Sequence, residues 1–525
     1  MQTQRTLDEF KNEPFTDYSV PENKAAMEAA LAEVKSELGR EYPVIVNGEK
    51  IFLTAKFESV DPSNRSQVVG IFSDADSDSE NLVIKAIDSA TEAFKSWKNV
   101  SPADRAEYLF KAADIIRERK HYYSAWMVFE VGKTWAEADG DTAEAIDFLE
   151  FYGREMLRWA GEQPVTPSPL PEKNDFEYIP LGVGAIIPPW NFPLAIMAGM
   201  TMAAVVAGNT AVLKPSPDAP VIAYKFMEVL EQVGLPNGVV NFLAGSGAKV
   251  GELMVQSPKT RFISFTGSKA VGLHIYEEAA KTRPGQNWMK RVIAEMGGKD
   301  ATIVADDANL DEAASGVVAA AFGFQGQKCS ACSRLIVDEK VHDELISKVV
   351  DLTRKLKVGE PTNSDTNMAA VINQKSFDKA TAYIRKGVEE GGTVIAGGAG
   401  DDSSGFFIEP TIIDNVKAKS TIEQEEIFAP VLAVIKVSSF DEAIEVANDT
   451  QYGLTGAVYS ASEERLDRAK RDFHVGNLYL NRKCTGALVG VHPFGGFNMS
   501  GTDSKAGGRE YLLQFMQGKS TARKI

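Results

Sequence analysis

Cysteine is scarce, with three residues in a chain of 525. Three thiols cannot build a disulfide framework, so the fold must stand on its apolar core. Five histidines are scattered along the chain. Cys329 and Cys332 are spaced C-x-x-C, but no second such pair completes a zinc site, and no metal is expected. Long apolar runs are also lacking. The longest, Leu194 to Val206, contains Gly199 and Thr201 and is shorter than the ~20 residues that a membrane span needs. It reads as a buried helix. Met1 to Phe10 holds no apolar segment of a secretory signal, so the cytoplasm is the expected compartment. Basic residues are in deficit, 56 against 73 acidic, for a net charge of −17. That balance excludes a nucleic-acid or anionic-membrane partner, because phosphates would be repelled. The G-x-G-x-x-G fingerprint of an ordinary dinucleotide-binding domain is missing too, since Gly245-Ser246-Gly247 stops short of it.

What remains is an ordinary globular composition, 44% hydrophobic and 25% charged. The length corresponds to about three or four domains. Glu22 to Leu38 reads as an amphipathic helix. Val44 to Ile51 reads as a hairpin turning on Asn47-Gly48. Helices follow from Ser79 to Trp97 and from Pro102 with Ser101 as N-cap, and a broken helical stretch runs from Tyr122 to Trp159. Four prolines between Gln163 and Pro171 end the helical pattern in a surface excursion. From Leu181 strands and helices alternate. Val183 to Ile187, Thr210 to Leu213, Val239 to Leu243 and Phe262 to Phe265 are strands, with helices over Leu194 to Ala207 and Ala219 to Val233. A second alternating unit has a helix over Leu310 to Phe322, a strand over Arg334 to Val337 and a helix over Val341 to Lys355. Alternation of this kind implies βαβ units and parallel sheets covered on both faces. The tail from Gln514 to Ile525 is short and polar.

Three stretches carry chemistry. Phe324 to Arg334 holds two of the three cysteines among small and polar residues, as where a backbone approaches a ligand. Glu295 sits at a strand end before Gly297-Gly298, and Asn191 lies in the proline-bracketed Pro189-Trp190-Asn191-Phe192-Pro193. A thiol that attacks, an amide that holds an oxyanion and a carboxylate that activates water are the parts of acyl chemistry through a thioester. Taken singly, each has a structural reading: an inert buried thiol, a solvated carboxylate and a turn asparagine. A nucleophilic Cys329 requires a lowered thiol pKa, whereas Cys332 and Cys484 read as packing.

These residues, with Lys214-Pro215-Ser216, Phe265-Thr266-Gly267-Ser268, Gln327-Lys328-Cys329, Glu425-Glu426-Ile427-Phe428 and Pro493-Phe494-Gly495-Gly496, resemble the aldehyde dehydrogenase superfamily over nearly the whole chain. The resemblance implies an α/β fold with parallel-sheet cofactor-binding and catalytic domains and a small β oligomerisation flap. Residues 1–158 and 180–291 would bind the cofactor, 292–500 would hold the catalytic domain, and 159–179 with 501–525 would form the flap. The tail is then a strand for a partner subunit's sheet, where composition alone gives a disordered end. A homodimer or higher homo-oligomer follows.

The resemblance also implies roles. Cys329 is the nucleophile, Glu295 the base for the deacylating water, and the Asn191 amide with the Cys329 N–H the oxyanion site. Lys214 and Ser216, Gly267 and Ser268, Glu426 and Phe428, with Trp190, would hold the dinucleotide. NAD is expected, with NADP possible because Pro217 stands where many NAD-preferring relatives carry a glutamate. The pocket residues resemble those of the branch that oxidises L-glutamate γ-semialdehyde in proline and arginine breakdown. By that likeness Ser330, Gly486 and Ala487 anchor the substrate's α-carboxylate, Phe192 and Phe494 flank its aliphatic part, and Glu144 lines the pocket. A dehydrogenase of another small semialdehyde is the alternative, or a catalytically silent binding or structural member of the family.

Overall fold

The computed structural model describes residues 7–525. The readings that fall on residues 1–6, the start of the terminus without a signal and of the first cofactor-binding segment, lie outside the described residues. Two seven-stranded sheets carry the chain. The first runs, in spatial order, Arg291–Glu295, Thr260–Thr266, Val183–Ile187, Thr210–Leu213, Val240–Phe242, Val44–Val46 and Glu49–Ile51. The second runs Thr393–Ala396, Thr411–Asp414, Val431–Val437, Arg334–Asp338, Ala301–Val304, Thr455–Tyr459 and Asn477–Leu480. Central strands such as Val183–Ile187 and Arg334–Asp338 are buried at every position, because helices cover both faces.

Neither sheet is wholly parallel. The Val44–Ile51 hairpin adds two antiparallel strands to the first, and Thr393–Ala396 pairs antiparallel with Thr411–Asp414 in the second. Asn47 and Gly48 take left-handed conformations, φ 53° and 77°, as a two-residue hairpin turn requires. The break in the long helical stretch falls at Gly132, φ 67°, between helices Lys120–Val131 and Trp135–Trp159. A small sheet of Arg40–Tyr42, Asn64–Ser73 and Lys56–Asp61 is additional to the expected elements.

The tail is a strand, not a disordered end. Met516–Lys524 pairs antiparallel with Glu172–Pro180 of its own chain over nine residue pairs, from Met516 with Pro180 to Lys524 with Glu172. The ladder satisfies the backbone polar groups that a free polar tail would leave to water. Most side chains of this two-stranded ribbon remain exposed. Two boundaries differ from those expected. Arg291–Glu295 is the edge strand of the first sheet, so a division at 291/292 cuts through a strand. The 501–507 segment packs beside Glu295 and not in the ribbon.

The first sheet predicts its own weak point. Gly184 lies opposite Phe262 on the neighbouring strand, and a Cβ there would stand 2.1 Å from the buried Phe262 ring. Gly184→Val should destabilise the protein by about 1–3 kcal/mol through overpacking. Thermal unfolding followed by circular dichroism checks this, with Ile186→Val, which removes one methylene from a buried side chain at about 0.5–1.5 kcal/mol, as the milder control.

Candidate active site

The C-terminal ends of strands in the first sheet face the entrance to strands of the second. Asn191 follows Val183–Ile187, and Glu295 ends Arg291–Glu295. Cys329 precedes Arg334–Asp338, and Glu426 precedes Val431–Val437. Ligands bind at such strand ends in open α/β sheets.

The cysteine loop is built on an unusual turn. After helix Leu310–Phe322 the chain takes three left-handed residues in succession, Phe324, Gln325 and Gly326, with φ 49°, 58° and 65°. Left-handed backbone costs a non-glycine residue about 1–2 kcal/mol, so the surroundings must hold it. Gln325 Nε2 donates to Gly132 O at 3.1 Å and Ala370 O at 2.9 Å. Gln327 Oε1 accepts from Ile372 N at 2.9 Å. At position 326 a Cβ would lie 2.4 Å from Ala429 O, which explains the glycine. Phe324 is fully buried beneath Lys133 Nζ, which also stands 3.8 Å from the Phe192 ring centroid and pairs with Asp141 at 3.1 Å.

Cys329 itself is partly accessible. The expectation of a lowered thiol pKa is corrected. Burial first, then the carboxyls of Asp300, Glu426 and Glu295, hold it well above the ordinary thiol range. The neighbouring cation is turned away, with Lys328 Nζ 2.7 Å from Glu137. Cys332 and Cys484 are buried, and their thiols donate to Thr302 Oγ1 at 3.2 Å and Ser330 O at 3.4 Å. Cys484 thus fastens the residue beside the nucleophile as well as packing.

Asn191 is buried and donates from Nδ2 to Gln327 O at 3.1 Å, which ties its loop to the cysteine loop. Glu295 is raised to about 7 by burial, opposed by donors from Ser504 and Gly496. A carboxylate titrating there is suited to proton exchange near neutral pH. Its Oε1 accepts from Ser504 Oγ at 2.6 Å, and a Cβ at Gly495 or Gly501 would stand 3.1 Å from its oxygens.

The dinucleotide candidates come from both sheets, with Lys214, Ser216, Gly267 and Ser268 beside the first and Glu426 and Phe428 before strand Val431–Val437 of the second. Lys214 is buried, donates to Pro215 O at 2.8 Å and Gly245 O at 3.1 Å, and is lowered to about 8 by burial. Ser216 Oγ accepts from Asp218 N at 3.4 Å. Ser268 is exposed and caps helix Lys269–Ala280. Gly267 differs from expectation in one respect: its N–H donates to Glu295 O, so it offers a ligand clearance and no donor. Glu426 accepts from Gly298 N at 3.1 Å, and a Cβ at Gly297 would fall 2.2 Å from its Oε2. Phe428, φ 62°, packs edge-on against Trp190. A helix N-terminus, a buried ammonium and a carboxylate set against glycine form a cradle that fits a dinucleotide.

On the other side of Cys329, Gly486 is left-handed, φ 81°. Arg482 Nη2 binds the Thr485 and Gly486 carbonyls at 3.0 and 3.1 Å, so the loop turns its oxygens toward the guanidinium. Among the described residues, neither the Gly486 nor the Ala487 N–H donates to another backbone group. Ser330 adjoins Cys329, and Phe494 is half-buried and bonded to Ala506 through both backbone groups. Glu144 is raised to about 8 by burial and by Asp141, against Lys133 and Lys328.

Sequence reasoning missed Ser504, the Lys133–Asp141 pair and Asp300. A charged residue directly after the helix-breaking Gly132 was a readable signal for Lys133. Ser504 had none, because its approach to Glu295 spans 209 positions.

The residues 52–521 match the model of the aldehyde dehydrogenase family, and the chain belongs to that family. It is 56% identical to a 1-pyrroline-5-carboxylate dehydrogenase of Geobacillus thermodenitrificans, over 98% of this chain and 99% of that protein. It is 55% identical to the protein of the same name in Geobacillus kaustophilus, with the same coverage. Among solved structures, 1-pyrroline-5-carboxylate dehydrogenase from Thermus with bound NAD is similar at TM-score 0.97 and 46% identity, over 99% of this chain and 100% of that one.

The site predicts slow thiol chemistry in the free enzyme. Because its neutral form is favoured, Cys329 should react slowly with iodoacetamide at pH 7 and faster as pH rises past about 8.5, the ordinary thiol value. Mass-spectrometric rates for the Cys329 peptide check this; a rate already at plateau below pH 7 contradicts it.

Proposed function

We propose that this chain oxidises L-glutamate γ-semialdehyde, the open form of 1-pyrroline-5-carboxylate, to L-glutamate with NAD, in proline breakdown. The observation that carries the reading is the convergence of Cys329, Asn191 and Glu295 where the two sheets meet. The names of relatives at 56% identity support the substrate.

Cys329 attacks the aldehyde carbon as its thiolate, and the carbonyl oxygen becomes an oxyanion. The Asn191 amide and the Cys329 N–H hold that charge. Lys214, Ser216, Ser268, Glu426, Phe428 and Trp190 would hold the dinucleotide, which when bound would supply the hydride acceptor that oxidation of the carbon needs. Cys329 is then a thioester. Glu295 takes a proton from water, the water oxygen forms the new C–O bond, the C–S bond breaks, and the thiol regains its proton. Gly486 and Ala487 N–H groups with the Ser330 hydroxyl receive the α-carboxylate, an anion-binding nest that offsets the net charge of −17 locally. Phe192 and Phe494 enclose the methylene chain, and Glu144 lies toward the ammonium. Pro217 brings no charge against a 2′-phosphate, which leaves NADP usable.

The assembly belongs to the same reading. A two-stranded ribbon with most side chains exposed is marginal alone, and burial against a second copy of the chain would stabilise it. A homo-oligomer with separate cofactor-binding, catalytic and ribbon regions is proposed. Three free thiols, one of them the nucleophile, suit the reducing cytoplasm.

Two outcomes test this. Glu295→Gln should acylate but deacylate slowly, since an amide cannot take the proton from water. Rapid mixing should give a burst of NADH near one per subunit followed by a steady rate at least ~100-fold below wild type, within the range of general-base contributions. Loss of burst and steady state together would place Glu295 elsewhere. Second, the semialdehyde should exceed pentanal by at least about tenfold in kcat/KM, because unpaired donors cost on the order of 1–3 kcal/mol each. Ser330→Ala should lower kcat/KM for the semialdehyde and leave that for pentanal nearly unchanged. Equal rates on both substrates in the wild type would remove the semialdehyde assignment and leave aldehyde oxidation standing.

A further inference from the structure

The segment after the Gly495-Gly496 pair is docked on the strand that carries Glu295. Met296 N donates to Ser500 O at 2.7 Å, Thr502 N to Ala294 O at 2.9 Å, and Ala294 N to Thr502 Oγ1 at 3.1 Å. Glu295 therefore lies between two clamped neighbours, bridged to Gly501. Ser504 is then delivered by a strained backbone. Asp503 and Lys505 on either side of it are both left-handed, φ 52° and 53°. Two such non-glycine residues persist only where the surroundings hold them. Lys505 is held by its ammonium, which donates to Gly476 O at 2.8 Å and Gly495 O at 2.9 Å.

The strained turn aims Ser504 inward. It is 3% exposed, and its hydroxyl donates to Glu295 Oε1 at 2.6 Å while its N–H reaches the same oxygen at 3.3 Å. Gly496 N donates to Oε2 at 3.4 Å. The glycines at 495 and 501 leave no side chain to crowd the carboxylate, so these donors can set its direction. A short bond to a buried carboxylate is charge-assisted and directional.

The geometry points to Ser504 as a positioning residue that fixes the direction and the protonation of the Glu295 carboxylate. The inference rests on the proposed role of Glu295 as base. Besides Ser504 and Gly496, the groups facing Glu295 are Lys505 from the same segment, Cys329 from the cysteine loop and Tyr511 further along the chain. Lys505 and the donors favour the ionised carboxylate, and burial opposes them. Removing the hydroxyl takes away the strongest single donor, so the carboxylate should hold its proton to higher pH.

Ser504→Ala and Ser504→Thr are the variants. Difference infrared titration, with Glu295→Gln to identify the carboxyl band, reads protonation directly and needs no turnover. The Ser504→Ala midpoint should lie about one pH unit above wild type and the Ser504→Thr midpoint should match it. In rapid mixing, Ser504→Ala should keep the NADH burst and lose roughly fivefold in the following steady rate at pH 7, because a one-unit rise from about 7 cuts the ionised fraction from about one half to about one eleventh. The acid limb of kcat should move up by the same amount, with Ser504→Thr restoring it. Should Ser504→Ala not fold, Ser504→Cys keeps the size, weakens the donor and is read in the same way. Coincident infrared midpoints overturn the inference whatever the rates do. A burst and steady rate that fall together, with an unmoved acid limb, also overturn it. If the wild type oxidises no aldehyde, the functional reading fails by itself, and the infrared midpoints still decide the role of Ser504.

Discussion

Three left-handed residues in a row, Phe324 to Gly326, are the constraint on which the site depends. A chain left to itself would not turn this way. It does so because the Gln325 amide spans two distant segments, at Gly132 and Ala370, while Gln327 takes up Ile372. The same bonds tie the helical N-terminal region, the cysteine loop and the loop before helix Gln374–Glu389 to one another. The nucleophile is thus placed by polar bonds to backbone, which have one geometry, more than by apolar packing, which has many.

Around that anchor the charges are arranged to keep the free enzyme quiet. Three carboxyls stand near the thiol, while the nearest lysine is committed to Glu137. Farther in, the buried Lys133 is paired with Asp141 and stacked on Phe192 and Phe324. A cation between two rings stiffens both, and one of them walls the proposed substrate channel. Reactivity and shape are therefore set by different charges, drawn from distant parts of the chain.

Much of this was legible beforehand, and for identifiable reasons. Strands Val183–Ile187 and Thr210–Leu213 and helix Leu310–Phe322 begin and end where the apolar pattern does, because burial on both faces writes itself into composition. The Asn47-Gly48 turn and the Ser101 cap carry local chemistry that a sequence displays. From composition alone the tail read as a disordered end, because exposed ribbon has no apolar alternation to show, and only the resemblance made it a strand. The direction of the Cys329 shift was misjudged because it depends on carboxyls drawn from positions 295, 300 and 426. The bond from the Gly267 N–H to Glu295 O had no signal in the sequence, because only the register of neighbouring strands reveals it.

The ribbon of Glu172–Pro180 with Met516–Lys524 has a consequence in time. Its two strands are separated by most of the two sheets, so the first leaves the ribosome long before its partner exists. During that interval it is an unpaired edge, the kind of surface on which chains aggregate. Its residues Glu172, Lys173, Asp175 and Glu177 are charged and remain exposed or half-exposed when folding is complete, where they do little for the finished fold. Their use falls earlier: charge on an unpaired edge keeps a waiting strand soluble until its partner strand has been made.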